Sequence, residues 1–334
     1  MTLTKTLYGA AAAMAMIAGS AAAEPALIYD LGGKFDKSFN EAAYTGAKRW
    51  AEETGEKYLE IEIQSEAQRE QALRRFAEAG ANPIVTTGFA IASSLEEVAP
   101  DYPDTKFVNI DGFLEEIPDN VQIITFLEHE GSFLVGIMAA LATESNTVGF
   151  IGGMDVPLIR HFGCGYAQGV KYQNPEVEVI ANMTGTTPAA WNDPVKGSEL
   201  AKAQISQGAD VIYAAAGGTG VGVLQTAADE DILSIGVDSN QNHLHPGKVL
   251  TSMLKRVDNA VYEVMMAGED LETGVNKTLG LSEDGVGVAI DDNNRDIVTE
   301  EMLSTVADAR EKIINGEIDV VSYYENDSCP AINF

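Results

Sequence analysis

The sequence predicts an α/β protein of two lobes, each a doubly wound parallel sheet, with a ligand cleft between them. Three observations predict it. Short apolar runs of strand length alternate with segments of helical apolar period along the chain from Ala26. The alternation restarts at Thr147, after a long apolar helix, so one plan occurs twice without shared sequence. Strands in both halves end in Gly or Asp, which places a polar rim at the carboxyl edge of each sheet, where open α/β sheets bind ligands.

The first half reads as strand Ala26–Tyr29, helix Ser38–Thr54, strand Tyr58–Ile63 and helix Ala67–Ala79. Strand Pro83–Thr87, helix Ala90–Ala99, strand Lys106–Ile110, strand Val121–Phe126 and the apolar helix His129–Ala142 follow. The second half opens with strand Thr147–Ile151, a break at Gly152-Gly153 and helix Leu158–Asn174. Next come strand Glu178–Asn182, the polar loop Gly185–Asp193 and helix Pro194–Gln207. Strand Val211–Ala215 leads through Gly217-Gly218-Thr219-Gly220 into a helix ending near Asp229. Strands Leu233–Val237 and Val249–Lys255 precede helix Asn259–Ala267, a Gly-rich stretch with short β pieces to Ile290, and helix Thr299–Ile314. The chain is expected to cross between lobes near residues 126–131, 255–258 and 290. That gives one lobe of residues 24–127 plus 258–290 and another of 128–257 plus 291–334.

Residues 1–23 stand apart. Lys5, the apolar run Leu7–Ala18 and Ala21-Ala22-Ala23 before Glu24 read as a secretory signal peptide cut after Ala23. A membrane span is the weaker reading, because the run is short and no basic flank follows. No Cys stands beside the cleavage site to carry a lipid, so a soluble periplasmic protein is expected. The remaining length suits two lobes at ~150 residues each. A formal net charge of −30 argues against nucleic acid or anionic membrane as partners. The acidic residues are dispersed, as on a solvated surface. In an oxidising compartment Cys164 and Cys329 are expected to form a disulfide tying the C-terminal tail to the second lobe; two buried thiols are the alternative. A zinc site is not expected from two Cys without matching His, and His243-Leu244-His245 lacks a partner cluster.

The stretch Ile28–Asn40 runs strand, Asp30, Gly32-Gly33 and helix start, which puts Asp30 and Phe39 at the carboxyl end of the sheet. The run Asp30-Leu31-Gly32-Gly33…Asp36-Lys37-Ser38-Phe39-Asn40 resembles the signature of the basic membrane protein family, substrate-binding proteins of ABC transporters whose best-understood members bind purine nucleosides. The resemblance continues through Gly149–Met154, Trp191-Asn192-Asp193-Pro194, Ala216–Gly220, Gly236–Gln241 and Thr251–Asp258, in order and over nearly the whole mature chain. It implies the two-lobed periplasmic-binding-protein type I fold, an inner-membrane permease as partner, a monomer, and no cofactor. Leu31 departs from the family, which has Asn there in at least some members.

A purine offers flat apolar faces and a polar edge, so it needs aromatic rings and hydrogen-bonding groups around its rim. Phe39 can supply one ring, the alternative being packing of the first helix on the sheet. Trp191, in a polar loop, can supply the second, with Phe162 behind it; inter-lobe packing is the alternative. Asp30 and Asp111 each follow a strand, and an ionised carboxylate suits ring N–H, amine or hydroxyl donors. A helix cap or turn is the alternative for each. Asp238 and Lys255 resemble the family's ribose contacts, Gly217 and Gly218 present backbone N–H groups, and Asn40 is a further candidate for a contact. With several Asp and few cations, the cleft is expected to exclude free phosphate. The glycines match neither a P-loop nor a dinucleotide fingerprint, and GxSxG and HExxH are absent. A binding protein rather than an enzyme is therefore expected. Three rivals remain open: a binder of a sugar or other polar metabolite, the sensing half of a signalling system, and a nucleoside hydrolase.

Overall fold

The computed structural model describes residues 23–325 and 327–334; the expected signal peptide, apart from Ala23, lies outside the described residues. The strands are β1 Ala26–Tyr29, β2 Leu59–Glu62, β3 Ile84–Thr87, β4 Phe107–Ile110, β5 Val121–Phe126, β6 Thr147–Met154, β7 Glu178–Gly185, β8 Val211–Ala215, β9 Leu233–Asp238, β10 Val249–Lys255, β11 Val275–Leu279 and β12 Val286–Val288. The helices are α1 Phe39–Thr54, α2 Gln68–Glu78, α3 Ala92–Val98, α4 Glu128–Ala142, α5 Pro157–Gln173, α6 Pro194–Ser206, α7 Gly220–Asp229, α8 Val257–Ala267 and α9 Glu300–Ile314.

Two six-stranded sheets result, in the orders β11-β5-β4-β3-β1-β2 and β12-β10-β9-β8-β6-β7. The first is parallel throughout; in the second, β12 joins β10 antiparallel. All four residues of β1 are buried because both faces of its sheet carry helices. Leu27 and Tyr29 pack with Ala43, Ala47 and Trp50 of α1, whereas Ala26 and Ile28 pack with Leu73 and Phe76 of α2. Each large apolar side chain so buried contributes about 1.5–3 kcal/mol. The second sheet repeats the arrangement, with Phe150 and Tyr213 facing α4 and α5 while Ile151 and Ile212 face α6 and α7. No helix of the described residues is long and apolar enough to cross a membrane.

Three departures from the sequence reading have local causes. Gly152-Gly153 does not end β6, which runs on to Met154 beside an equally extended β7. These glycines make room: a Cβ on Gly152 would lie 2.4 Å from Met183 Sδ, and one on Gly153 2.2 Å from the Trp191 ring. Segment 286–290, expected in the first lobe, begins in the second sheet, because Val286–Val288 pairs with Met253–Lys255. Helix α1, expected from Ser38, begins at Phe39, and its capping acceptor is Asp36. Asp36 accepts from the backbone N–H groups of Ser38 (2.8 Å), Asn40 (3.0 Å) and Glu41 (3.1 Å), which frees the Ser38 hydroxyl for another role.

Candidate functional site

A cavity of about 310 Å³ lies between the carboxyl edges of the two sheets, lined from the first by Asp30, Phe39, Asn40 and Asp111 and from the second by Phe162, Trp191, Gly217, Asp238 and Lys255. Leu31, Met154, Leu158 and Ile159 add apolar wall. The loops at strand ends place these groups. Asp111 follows β4 and Asp238 ends β9, both with left-handed backbone (φ 69° and 63°), which turns each carboxylate sharply off its strand. Such a conformation costs a non-glycine residue about 1–3 kcal/mol and concentrates at functional sites. Helix α5 carries Phe162 and is held close to α4 because glycines stand at the contact: a Cβ on Gly165 would lie 2.2 Å from the His129 carbonyl oxygen.

One end of the cavity is a buried charge cluster. Lys255 Nζ lies 2.6 Å from Asp111 Oδ2 and 2.8 Å from Glu128 Oε1, with all three side chains almost sealed from solvent. The same ammonium stands 5.1 Å from the Phe39 ring centre and 5.4 Å from that of Phe162, so two aromatic walls flank it. Burial works against the Lys255 charge, but Asp111, Glu128 and Asp238 outweigh it and hold its pKa above the ordinary lysine value. Burial pushes Glu128 up to about 7, the nearby Asp111 adding to the rise and Lys255 opposing it. Asp238 is pushed up to about 6 by burial, against the pull of Lys255 and of the Ser38 hydroxyl, which donates to it at 2.5 Å. Behind Glu128, His161 Nε2 lies 3.9 Å away, and burial lowers the His161 pKa to about 2, so this imidazole is neutral. Tyr324 stacks on His161 with ring centres 4.6 Å apart. The tail bearing Tyr324 is tied down by the Cys164–Cys329 disulfide, which the structure contains.

The other end differs from expectation. Asp30 is not a free acceptor: Arg69 of α2 grips it through Nε to Oδ1 at 3.0 Å and Nη2 to Oδ2 at 3.1 Å. Arg69 is buried and lines the cavity, so each end holds one cation matched to carboxylates rather than carboxylates alone. Asn40 also has its polar atoms committed. It donates to the carbonyls of Asp30 (3.3 Å) and Gly33 (3.2 Å) and accepts from the Thr87 hydroxyl (2.8 Å), which fixes the loop rather than offering groups to a ligand. Gly218 is not part of the lining; it packs beside the Trp191 carbonyl and Asp36. Trp191 itself lies across Gly153 and Gly217 at the rim of the second sheet.

Arg69 and Glu128 were missed, and each left a trace in the sequence. Arg69 shares the i, i+3, i+4, i+7 stripe with Ala72, Leu73 and Phe76, a cation on the buried face of its helix. Glu128 begins a helix whose following turns are buried all round. Loops from the two lobes also touch directly beside the cavity. Ser239 Oγ donates to the Ser38 carbonyl at 2.8 Å, and Gln241 Nε2 to that of Lys37 at 2.9 Å.

Residues 26–323 match the family described as Bmp, ABC transporter substrate-binding protein PnrA-like. The chain belongs to this family. It is therefore an ABC transporter substrate-binding protein, a class that takes a small-molecule ligand and works with a membrane permease. Among Bmp-family relatives, the ABC transporter nucleoside-binding protein BmpA of Lactococcus lactis is 30% identical, with 89% of this chain and 88% of that protein covered. An uncharacterized lipoprotein of Pyrococcus furiosus is 33% identical over 88% of this chain and 80% of its own. The crystal structure of an ABC transporter system solute-binding protein from Aeropyrum pernix K1 superposes with a TM-score of 0.81 at 31% identity, covering 91% of this chain and 95% of that one. The two-lobed periplasmic-binding-protein architecture expected from the sequence is thus the one adopted.

Proposed function

We propose that this substrate-binding protein takes one purine nucleoside between its lobes, without chemical conversion, and presents it to the permease. The observation that carries the reading is the pairing of an apolar, aromatic-walled slot with a buried lysine–carboxylate cluster at one end. Phe39 from one lobe and Phe162 or Trp191 from the other cover the faces of a base, while Asp238 and Lys255 share the adjacent hydroxyls of a ribose. Asp111 and Lys255 come from opposite lobes, so their ion pair favours the shut arrangement and a ligand that braces it shifts the hinge equilibrium further. Arg69 and Lys255 are each held by carboxylates, which leaves no unbalanced cation for a phosphate. A sugar binder would use the charged end but leave much of the aromatic and aliphatic wall uncovered.

The solute-binding description belongs to the Aeropyrum pernix protein and the nucleoside-binding description to the Lactococcus lactis protein. Isothermal titration with inosine, guanosine, adenosine, inosine monophosphate, ribose and arabinose tests the reading. Nucleosides bind and the others do not; tight binding of a free sugar, with none of any nucleoside, overturns it. We read the chain as a monomer exported to the periplasm, which suits the paired cysteines. Mass spectrometry of the periplasmic protein checks both the cut after Ala23 and the disulfide.

A further inference from the structure

We propose that Arg69 makes this site selective for bases carrying a carbonyl oxygen at the recognition edge, so that 6-oxopurine nucleosides bind in preference to 6-aminopurine ones. The inference rests on the nucleoside reading above and refines it. Three observations carry it.

The first is geometric. Asp111, at the charge cluster, follows β4, and Asp30 follows β1, with β3 between those strands. Two inter-strand spacings separate them, about 10 Å. A sugar held at Lys255 and Asp238 therefore directs its base toward Asp30 and Arg69. The second is the state of the polar groups at that end. Asn40 is committed to the loop, and Leu31 offers no side-chain hydrogen bond. Both Asp30 oxygens already accept from Arg69. The guanidinium, by contrast, engages Asp30 through Nε and Nη2 only, so Nη1 is left outside that pair on a buried side chain lining the cavity. Glu66, one turn before Arg69, also lines the cavity but is exposed to solvent, so the uncommitted group on a buried side chain at this end is a donor, not the acceptor expected of a bare Asp30.

The third is chemical. A 6-oxopurine presents an acceptor oxygen beside a ring N–H. The oxygen takes the Nη1 donor, and the N–H finds a spare lone pair on the Asp30 carboxylate. A 6-aminopurine turns a donor toward the guanidinium and leaves a buried charged donor unpaired, which is the more costly mismatch. Because Arg69 is already neutralised by Asp30, a neutral carbonyl suits it better than a full negative charge.

The experiment measures binding of inosine, guanosine, adenosine and purine riboside to the unmodified protein by isothermal titration. Purine riboside keeps the N1 acceptor and lacks any group at position 6. Inosine and guanosine are expected to bind at least tenfold more tightly than either of the others. Purine riboside matching inosine overturns the proposal, as does adenosine binding equally or better; both outcomes leave the nucleoside reading intact. Absence of binding by all four overturns both. Arg69→Met, checked for folding by its thermal melt, is expected to weaken inosine at least tenfold and adenosine far less, since Asp30 is released as an acceptor. Equal losses for both ligands count against the assignment. Should that variant not fold, Asp30→Asn with Arg69→Met removes both charges together and is expected to bring inosine and adenosine within threefold of each other; persistence of a tenfold gap refutes it.

Discussion

Replacing Lys255 with Met removes the one ammonium among Asp111, Glu128 and Asp238 while preserving most of the side-chain length. Taking one partner from a buried ion pair costs about 3–5 kcal/mol, because the remaining charge is stranded without water or counter-ion. Here the stranded groups can take up protons. Burial already pushes Glu128 up to about 7 and Asp238 up to about 6 with the lysine present, and its loss raises both further. A carboxylate whose folded pKa is raised adds stability that is fully present below its unfolded pKa near 4 and is lost as pH climbs through the folded value. The variant carries larger rises, so its deficit against wild type must grow between about pH 5 and pH 8. At pH 7.5 the full 3–5 kcal/mol is expected. At pH 5, with both carboxyls protonated, it should shrink to about 1–2 kcal/mol, each unit of pKa being worth about 1.4 kcal/mol. Urea unfolding followed by tryptophan fluorescence, for both proteins at both pH values, gives the comparison. An equal deficit at pH 5 and 7.5 would show that Lys255 acts by packing alone and that the cluster is not electrostatically coupled.

Further outcomes follow from other parts of the site. Phe39→Ala should weaken inosine binding by about 1–3 kcal/mol, the range for a lost base–aromatic stack, with calorimetry as the readout; an unchanged affinity removes Phe39 from the site. Gly153→Ala drives a methyl into the Trp191 ring, so it should move the tryptophan emission and reduce inosine affinity by tenfold or more, as read by fluorescence titration. Cys329→Ser opens a link spanning 165 residues and should cost about 2–5 kcal/mol in denaturant unfolding, with the reduced wild type behaving alike. His161 has its pKa lowered by burial, so the stability it contributes is present above about pH 6.5 and lost as pH falls toward its folded value; His161→Gln should flatten the acid side of the stability profile.

Much of the fold was legible because local and tertiary preferences agree. β1, β5, β8 and β10 fall on the runs that announce them, and β1 and β8 are apolar throughout because helices cover both sheet faces. Reading failed where a residue's role is set by a neighbour distant in sequence. Gly152 and Gly153 look like a break until Met183 and Trp191 are seen filling the space their missing side chains leave. The charge balance of the cleft was misjudged for the same reason. Asp30 and Arg69 stand 39 residues apart, and only the packing of α2 against β1 turns one exposed-looking arginine into the partner of the first strand's terminal aspartate. Asp111, Asp238 and Lys255 were legible because each sits at a strand end, where position alone brings side chains to the rim.

The origin of β11 has a consequence for how this molecule can be divided. Val275–Leu279 completes the first sheet alongside β5 although more than a hundred residues of the second unit intervene, and β12 then returns to the second sheet. A fragment ending after Phe126 would leave β5 as a bare border, its row of amide and carbonyl groups open to any passing strand. Expressed alone, such a half should self-associate instead of serving as a miniature receptor. A cut-and-paste exchange with a related protein must therefore move two separate pieces of gene for each half, or it will stitch the wrong border strand onto the graft.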